Sequence, residues 1–167
     1  MEHKKIKGQI FYSLINNALV LKFINNITWL VSSTLSNFIT CSLKNKQISH
    51  LYIDLSETTY IDSTILGVFV HFKNARHVTN VETILVAPSK TCDEILSSVG
   101  LHKIFLIETS ISSNPGIFYE LPLDEKLSTE EIAEIIKDAH RDLMNLNDKN
   151  KELFSPVVEG FAIPKKE

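Results

Sequence analysis

The stretch Leu51-Tyr52-Ile53-Asp54-Leu55-Ser56-Glu57-Thr58-Thr59-Tyr60-Ile61-Asp62-Ser63-Thr64-Ile65-Leu66-Gly67 changes its hydrophobic period partway along, and that change decides the fold. Leu51, Ile53 and Leu55 alternate with other residues at the two-residue period of a half-buried strand, whereas Leu66, Phe69, Val70 and Lys73 recur at helical spacing. Asp62 and Ser63 stand at the junction, and both are favoured helix N-cap residues. Backbone N–H groups without intrahelical partners meet the positive end of the helix dipole there, a setting that favours an anion. A phosphate added to the Ser63 hydroxyl would be well accommodated at that point.

Outward from this junction the chain alternates between strand and helix. Lys7 to Phe11 and Ala18 to Phe23 read as two strands joined by a turn at Asn16-Asn17. From Thr28 a helical pattern places Leu30, Val31, Leu35, Phe38 and Ile39 on one side and ends near Lys44-Asn45. The strand Leu51 to Leu55, a helix from Ser63 to Val78, a strand from Thr83 to Ala87, a helix from Lys90 to Val99 and a short strand from Lys103 to Glu108 follow. This predicts an α/β fold, a mixed sheet of about four to five strands packed by helices. The helix that begins at Ser63 is apolar nearly all round, with Ile65, Leu66, Val68, Phe69, Val70 and Phe72, so it should be buried. Gly67 costs that helix about 1 kcal/mol of propensity relative to Ala, which argues that it permits close approach of a neighbouring element.

Composition narrows the function classes. The chain has 167 residues, 44% hydrophobic and 22% charged, enough for one core with an appendage. No apolar run approaches the roughly 20 residues of a membrane helix, and Met1-Glu2-His3-Lys4-Lys5 lacks a signal peptide's apolar block, so a cytoplasmic location without membrane insertion is expected. Cys41 and Cys92 stand far apart and read as free thiols of a reducing compartment. A net charge of −3 implies no face for nucleic acid, which leaves proteins as the expected partners.

Enzyme chemistry has little support. Asp62, Ser63 and His71 invite a hydrolase reading, but His71 lies eight residues along the helix, about 12 Å by rise alone, and a base must reach hydrogen-bond distance. A strained Gly-x-Ser-x-Gly elbow is absent, and five glycines leave little room for a phosphate-binding loop. Among His3, His50, His71, His77, His102 and His140 no pair has zinc-helix spacing, and surface or cap roles are expected for all six. No catalytic residue, metal or cofactor is expected. Trp29 reads as core or domain edge.

After Ser110 the character changes. Ser112-Ser113-Asn114-Pro115-Gly116 reads as a turn or linker and Leu121-Pro122-Leu123-Asp124 as extended chain, so the core domain is expected over 1–110 and an extension over 111–167. From Leu121 onward lie 11 of the 20 acidic residues and only 7 of the 17 basic ones, which gives the extension the acidity. Ser128 and Glu131 form a capping box that opens a helix. Ile132, Ile136, Ala139, Leu143 and Leu146 step by four and three, the spacing of a coiled-coil seam over about two heptads. Two readings of that seam stand: a helix folded back on its own domain, or a homodimer or partner surface. Leu153, Phe154, Val157, Val158, Phe161 and Ile163 make the far end too apolar for a disordered tail.

Asp62-Ser63-Thr64-Ile65-Leu66-Gly67 resembles the Asp-Ser-Ser-Gly-Leu-Gly signature of the STAS domain, found in bacterial anti-sigma factor antagonists and in the tails of sulfate transporters, at four of six positions. Arg76, the run Thr83-Ile84-Leu85-Val86-Ala87-Pro88, and Val99-Gly100-Leu101-His102-Lys103-Ile104-Phe105 fill further family places in order, across roughly residues 8 to 110. Ile65 and Thr64 depart from the family's Gly and second Ser, and make the acceptor's surroundings bulkier and more apolar. The resemblance implies a non-enzymatic protein-interaction switch in signal transduction and transcription regulation. Ser63 would be the phosphorylation site, with Thr64 second, for an anti-sigma factor serine kinase, and a serine phosphatase would reset it. The partner surface would comprise Glu57, Thr58, Thr59, Tyr60, Asp62, Ser63, Thr64 and Ile65, with the first four on a loop. Two other readings are a constitutive scaffold or oligomerisation subunit using the C-terminal helix, and a transporter-accessory module acting in trans.

Overall fold

The hairpin opens the fold. In the computed structural model, which describes residues 8–112, 114–123 and 128–161, β1 (Gln9–Ile15) and β2 (Ala18–Ile27) pair antiparallel around Asn16-Asn17. Asn16 takes φ 50°, a left-handed conformation that Asn tolerates better than most residues. Both strands run past their expected ends, and Lys7, the expected start of the first, lies outside the described residues. The helical pattern from Thr28 divides into a single 3-10 turn, Trp29–Val31, and α1 (Ser32–Ser42).

β3 (His50–Ile61) has 12 residues where the alternation predicts a strand over Leu51 to Leu55, so Glu57 to Tyr60 belong to a strand and not to a loop. The polar run Ser56-Glu57-Thr58-Thr59 breaks the two-residue period, but β2 continues alongside in parallel as far as Ile27 opposite Ile61, through two register shifts. Thr58 is fully buried in that ladder, its hydroxyl donating to the Phe23 carbonyl at 3.0 Å. Bulges rather than a loop absorb the break in pattern.

α2 (Ser63–Asn74) follows, then α3 (Arg76–Thr79), β4 (Glu82–Val86), α4 (Lys90–Ser98), a 3-10 turn at Leu101–Lys103 and β5 (Leu106–Glu108). The helix expected to reach Val78 is therefore two helices, and the strand expected from Lys103 begins at Leu106. The sheet order is β5-β4-β3-β2-β1-β6, parallel from β5 to β2 and antiparallel from β2 to β6. It has six strands rather than four or five, because the segment after Ser110 returns as β6 (Tyr119–Glu120) on the free edge of β1. Leu121 then enters the core, its N–H donating to the Ile10 carbonyl at 2.8 Å.

The core lies between the sheet and its helices. Leu19 stands opposite Leu51, and Leu21 opposite Ile53, all fully buried. α2 seals this face with Ile65, Leu66, Phe69 and Val70, and Phe69 stacks on Phe23 with ring centroids 5.7 Å apart. Each such side chain contributes about 1.5–3 kcal/mol by leaving water.

α5 (Thr129–Met144) and α6 (Asp148–Gly160) form a helical hairpin. The capping box is present, with the Ser128 hydroxyl accepting from Glu131 N and the Glu131 carboxylate accepting from Ser128 N. The seam turns inward: Ala139 and Leu143 are buried, and α5 lies along α2 of the same chain. The folded-back reading of this helix holds. α6 is tied to the end of α4, where Asn150 Nδ2 donates to the Val99 carbonyl at 2.9 Å and Lys149 to the Ser98 carbonyl at 3.1 Å. Phe154 is buried and Leu153 exposed; Ile163 lies outside the described residues. No described helix is long and apolar enough to cross a membrane.

Candidate functional site

Two residues qualified for the cap of α2, and Asp62 takes it. Its Oδ1 accepts from Ile65 N at 3.1 Å, and its Oδ2 accepts from Trp29 N at 2.7 Å, so one carboxylate ties the start of α2 to the 3-10 turn after β2. Burial pushes this carboxyl above its ordinary pKa, against the N–H groups of Ile65, Trp29 and Thr64 and the nearby His140 imidazole, which pull it down. Ser63 is the first residue of α2, and its side chain is freed from capping.

That hydroxyl meets His140 of α5. Ser63 Oγ lies 2.8 Å from His140 Nε2, and His140 Nδ1 lies 2.7 Å from the Ile136 carbonyl oxygen. A carbonyl only accepts, so Nδ1 carries the proton; in the neutral ring Nε2 is then an acceptor and the Ser63 hydroxyl donates to it. His140 is 4% exposed, with its ring edge-on to Phe154 at 5.2 Å between centroids. This pair shares the proton geometry of a base-activated serine, but a main-chain carbonyl stands where a hydrolase places a carboxylate.

Two further contacts fasten α5 along α2. Gly67 lies against the backbone of Ala139, where a Cβ would overlap the Ala139 carbonyl; this is the close approach that a glycine in an apolar helix predicts. Two turns beyond Ser63, His71 Nδ1 lies 3.2 Å from Asp142 Oδ2. The hydrogen bond to Asp142 raises the His71 pKa, with the charges of Asp142 and Asp138 adding to it and burial working against it.

The sequence-derived site residues separate into two groups. Thr59, Tyr60, Asp62 and Ser63 come together at the end of β3, beside Trp29 and Leu30. Tyr60, Trp29 and Leu30 are 47%, 39% and 56% exposed, an aromatic and aliphatic rim around the cap. Glu57 is exposed one turn of the ladder away and paired with Lys22. Thr58, Thr64 and Ile65 are buried at 0%, 4% and 0%, so they support the surface from beneath. Ile65, the bulky departure from the family pattern, therefore adds to the core.

His140 is the site residue outside the sequence-derived set. A surface or cap role is expected for it, yet it is buried, four residues after Ile136 and eight after Ile132 on the stripe that packs inward. A polar residue on an apolar stripe is the signal that marks it.

The chain is an α/β domain whose six-stranded mixed sheet leads from β3 directly into a buried helix that begins at Ser63. The STAS domain profile matches residues 12–114, and the chain belongs to that family. Among solved structures, the fold is similar to a candidate anti-sigma factor antagonist from Thermotoga maritima (23% identity, TM-score 0.55, covering 60% of this chain and 86% of that one). It is also similar to the anti-sigma factor antagonist SpoIIAA in its unphosphorylated form (14%, 0.55, covering 60% and 89%). The phosphorylated form of SpoIIAA, a Bacillus cell fate determinant, matches as well (14%, 0.50, covering 61% and 92%). No curated protein sequence matches significantly. α5 and α6 lie beyond the matched family region.

Proposed function

We propose that this chain is a cytoplasmic, non-enzymatic protein-interaction switch of the anti-sigma factor antagonist kind, with Ser63 as the acceptor for a partner serine kinase. The observation that carries the reading is the division of labour at the start of α2: Asp62 caps the helix, so Ser63 can change its chemistry without uncapping it. Thr64 is buried and drops behind Ser63 as an acceptor. The contact surface is the rim of Thr59, Tyr60, Trp29 and Leu30 around Asp62 and Ser63.

A phosphoryl group on Ser63 adds about −1.5 to −2 charges beside Asp62. In a desolvated interface an unpaired dianion next to a carboxylate opposes binding, and a penalty of about 2.8 kcal/mol already means a hundredfold. A serine phosphatase would restore the binding form. The scaffold reading has less support, because the seam it would use is packed against α2.

The test is direct. The purified full chain is incubated with ATP and lysate of its native cell, and phosphate is located by peptide mass spectrometry beside a Ser63→Ala control. Phosphate on Ser63, absent from the control, is expected. Unmodified Ser63 in both the natural chain and Gly67→Ala, which crowds α5 off α2, overturns the reading when a control substrate is phosphorylated.

A further inference from the structure

We propose that α5 is a lid: in the closed state it sequesters the Ser63 hydroxyl, and access to Ser63 and to the adjoining surface of α2 requires α5 to move off. The proposal rests on the switch reading for its purpose but not for its geometry. His140 Nε2 already accepts a 2.8 Å hydrogen bond from the Ser63 hydroxyl, whose oxygen is the atom a phosphoryl group would have to join. The imidazole is held there from behind by the Ile136 carbonyl and by the edge of Phe154 on α6, so it is not free to rotate aside while the hairpin is docked.

The composition of the α2–α5 contact fits a lid rather than a permanent core. Only Ala139, His140 and Leu143 of α5 are buried, one large aliphatic side chain among 16 residues. Ile132, Ile135, Ile136 and Met144 are half-buried, and along the track on α2 the pairs Ser63–His140 and His71–Asp142 flank the backbone-to-backbone approach of Gly67 and Ala139. Polar pairs lose less on meeting water than apolar ones, because water replaces their partners. A small-residue contact also depends on close fit and tolerates little displacement before it is lost.

Gly67 supplies the means of opening the lid without touching Ser63 or His140. Gly67→Ala adds a Cβ that overlaps the Ala139 carbonyl, while within α2 alanine is a better helix former than glycine. α2 stays on the sheet, and α5 is displaced.

The experiment places a thiol at the guarded position, as Ser63→Cys in a Cys41→Ser background, and follows its reaction with dithiobis(nitrobenzoate) in the full chain. Cys92 is fully buried and provides a slow internal reference. Adding Gly67→Ala is expected to accelerate the reaction at least tenfold while circular dichroism retains the signals of the folded sheet. Equal rates with and without Gly67→Ala overturn the lid. If Gly67→Ala does not fold, Ala139→Glu, which leaves β1 through β6 unaltered, is read the same way. In the natural sequence, amide exchange over residues 132–143 faster than global unfolding reports the same opening, and exchange limited to global unfolding overturns it. None of these readouts uses a kinase, so rapid labelling of a closed chain sinks the lid alone, and failed phosphorylation sinks the switch alone.

Discussion

α2 has two neighbours, and it meets them with different chemistry. Toward the sheet it presents Ile65, Leu66, Phe69 and Val70, at most 1% exposed, with Phe69 stacked on Phe23. Toward α5 it presents a hydroxyl, a bare Gly67 and an imidazole. The first contact draws its strength from area removed from water, which is non-directional and large. The second buries Leu143 but otherwise depends on hydrogen-bond geometry and on the absence of a Cβ, which specify one docking position. One helix thus belongs to a stable core on one side and to a detachable surface on the other, and Ser63 sits where the two meet.

Phe69→Ala tests the stable side and should have the largest effect. Removing a fully buried ring is expected to cost about 3–5 kcal/mol, read as a lower denaturation midpoint reported alike by sheet and helix signals. A loss below about 1 kcal/mol would mean that α2 is not fixed to the sheet as described. Asp62→Ala comes next, because it removes both the cap of α2 and the tie to Trp29. About 1–2 kcal/mol is expected, with faster amide exchange at Trp29 and Ile65. If only one of those amides responds, the carboxylate does not join the two segments.

The detachable side is sharpened by a double-mutant cycle. Ser63→Ala, His140→Ala and the double variant should give a coupling of about 0.5–1.5 kcal/mol, the net worth of one hydrogen bond in contact. Zero coupling would show that the 2.8 Å pair does not form in solution and would weaken the contrast between the two faces.

The same contrast explains what was legible in the sequence. Hydrophobic periodicity is written by burial in large apolar contacts, so the strands at Leu51 and Thr83, the helix at Ser63 and the capping box at Ser128 could be read directly. Glu57 to Tyr60 could not, because bulged pairing with β2 holds a polar run inside a strand, and a bulge depends on the partner strand rather than on local pattern. β6 is two residues long and too short to carry a period, so the sixth strand was invisible. Of the site, Asp62 and Ser63 were visible as capping residues, and Gly67 as a glycine needing a reason. His140 is marked only as a polar residue on an apolar stripe, since a contact across 77 positions does not name its partner in either neighbourhood. Small and polar contacts of this kind leave fainter signatures in sequence than apolar ones do.

The smallest expected effect concerns pH. Asp142 raises the pKa of His71 by accepting its hydrogen bond, so the protonated ring is favoured when α5 is docked. A base whose pKa is higher in the folded state contributes its full stabilisation below the unfolded value, near 6.5, and loses it as pH rises through the folded value. Asp142→Asn removes the partner, so the natural chain's stability advantage over Asp142→Asn should be greatest near about pH 6 and fade toward about pH 8. Asp62, whose carboxyl pKa is raised by burial, is present in both chains and cancels from the difference. The His71 side chain is 64% exposed, so solvent screens the pair and about 0.5 kcal/mol is the upper range. Added salt should shrink it further. An advantage that grows with pH would mean that His71 is paired while neutral, and would remove the ion pair from the contacts holding α5 on α2.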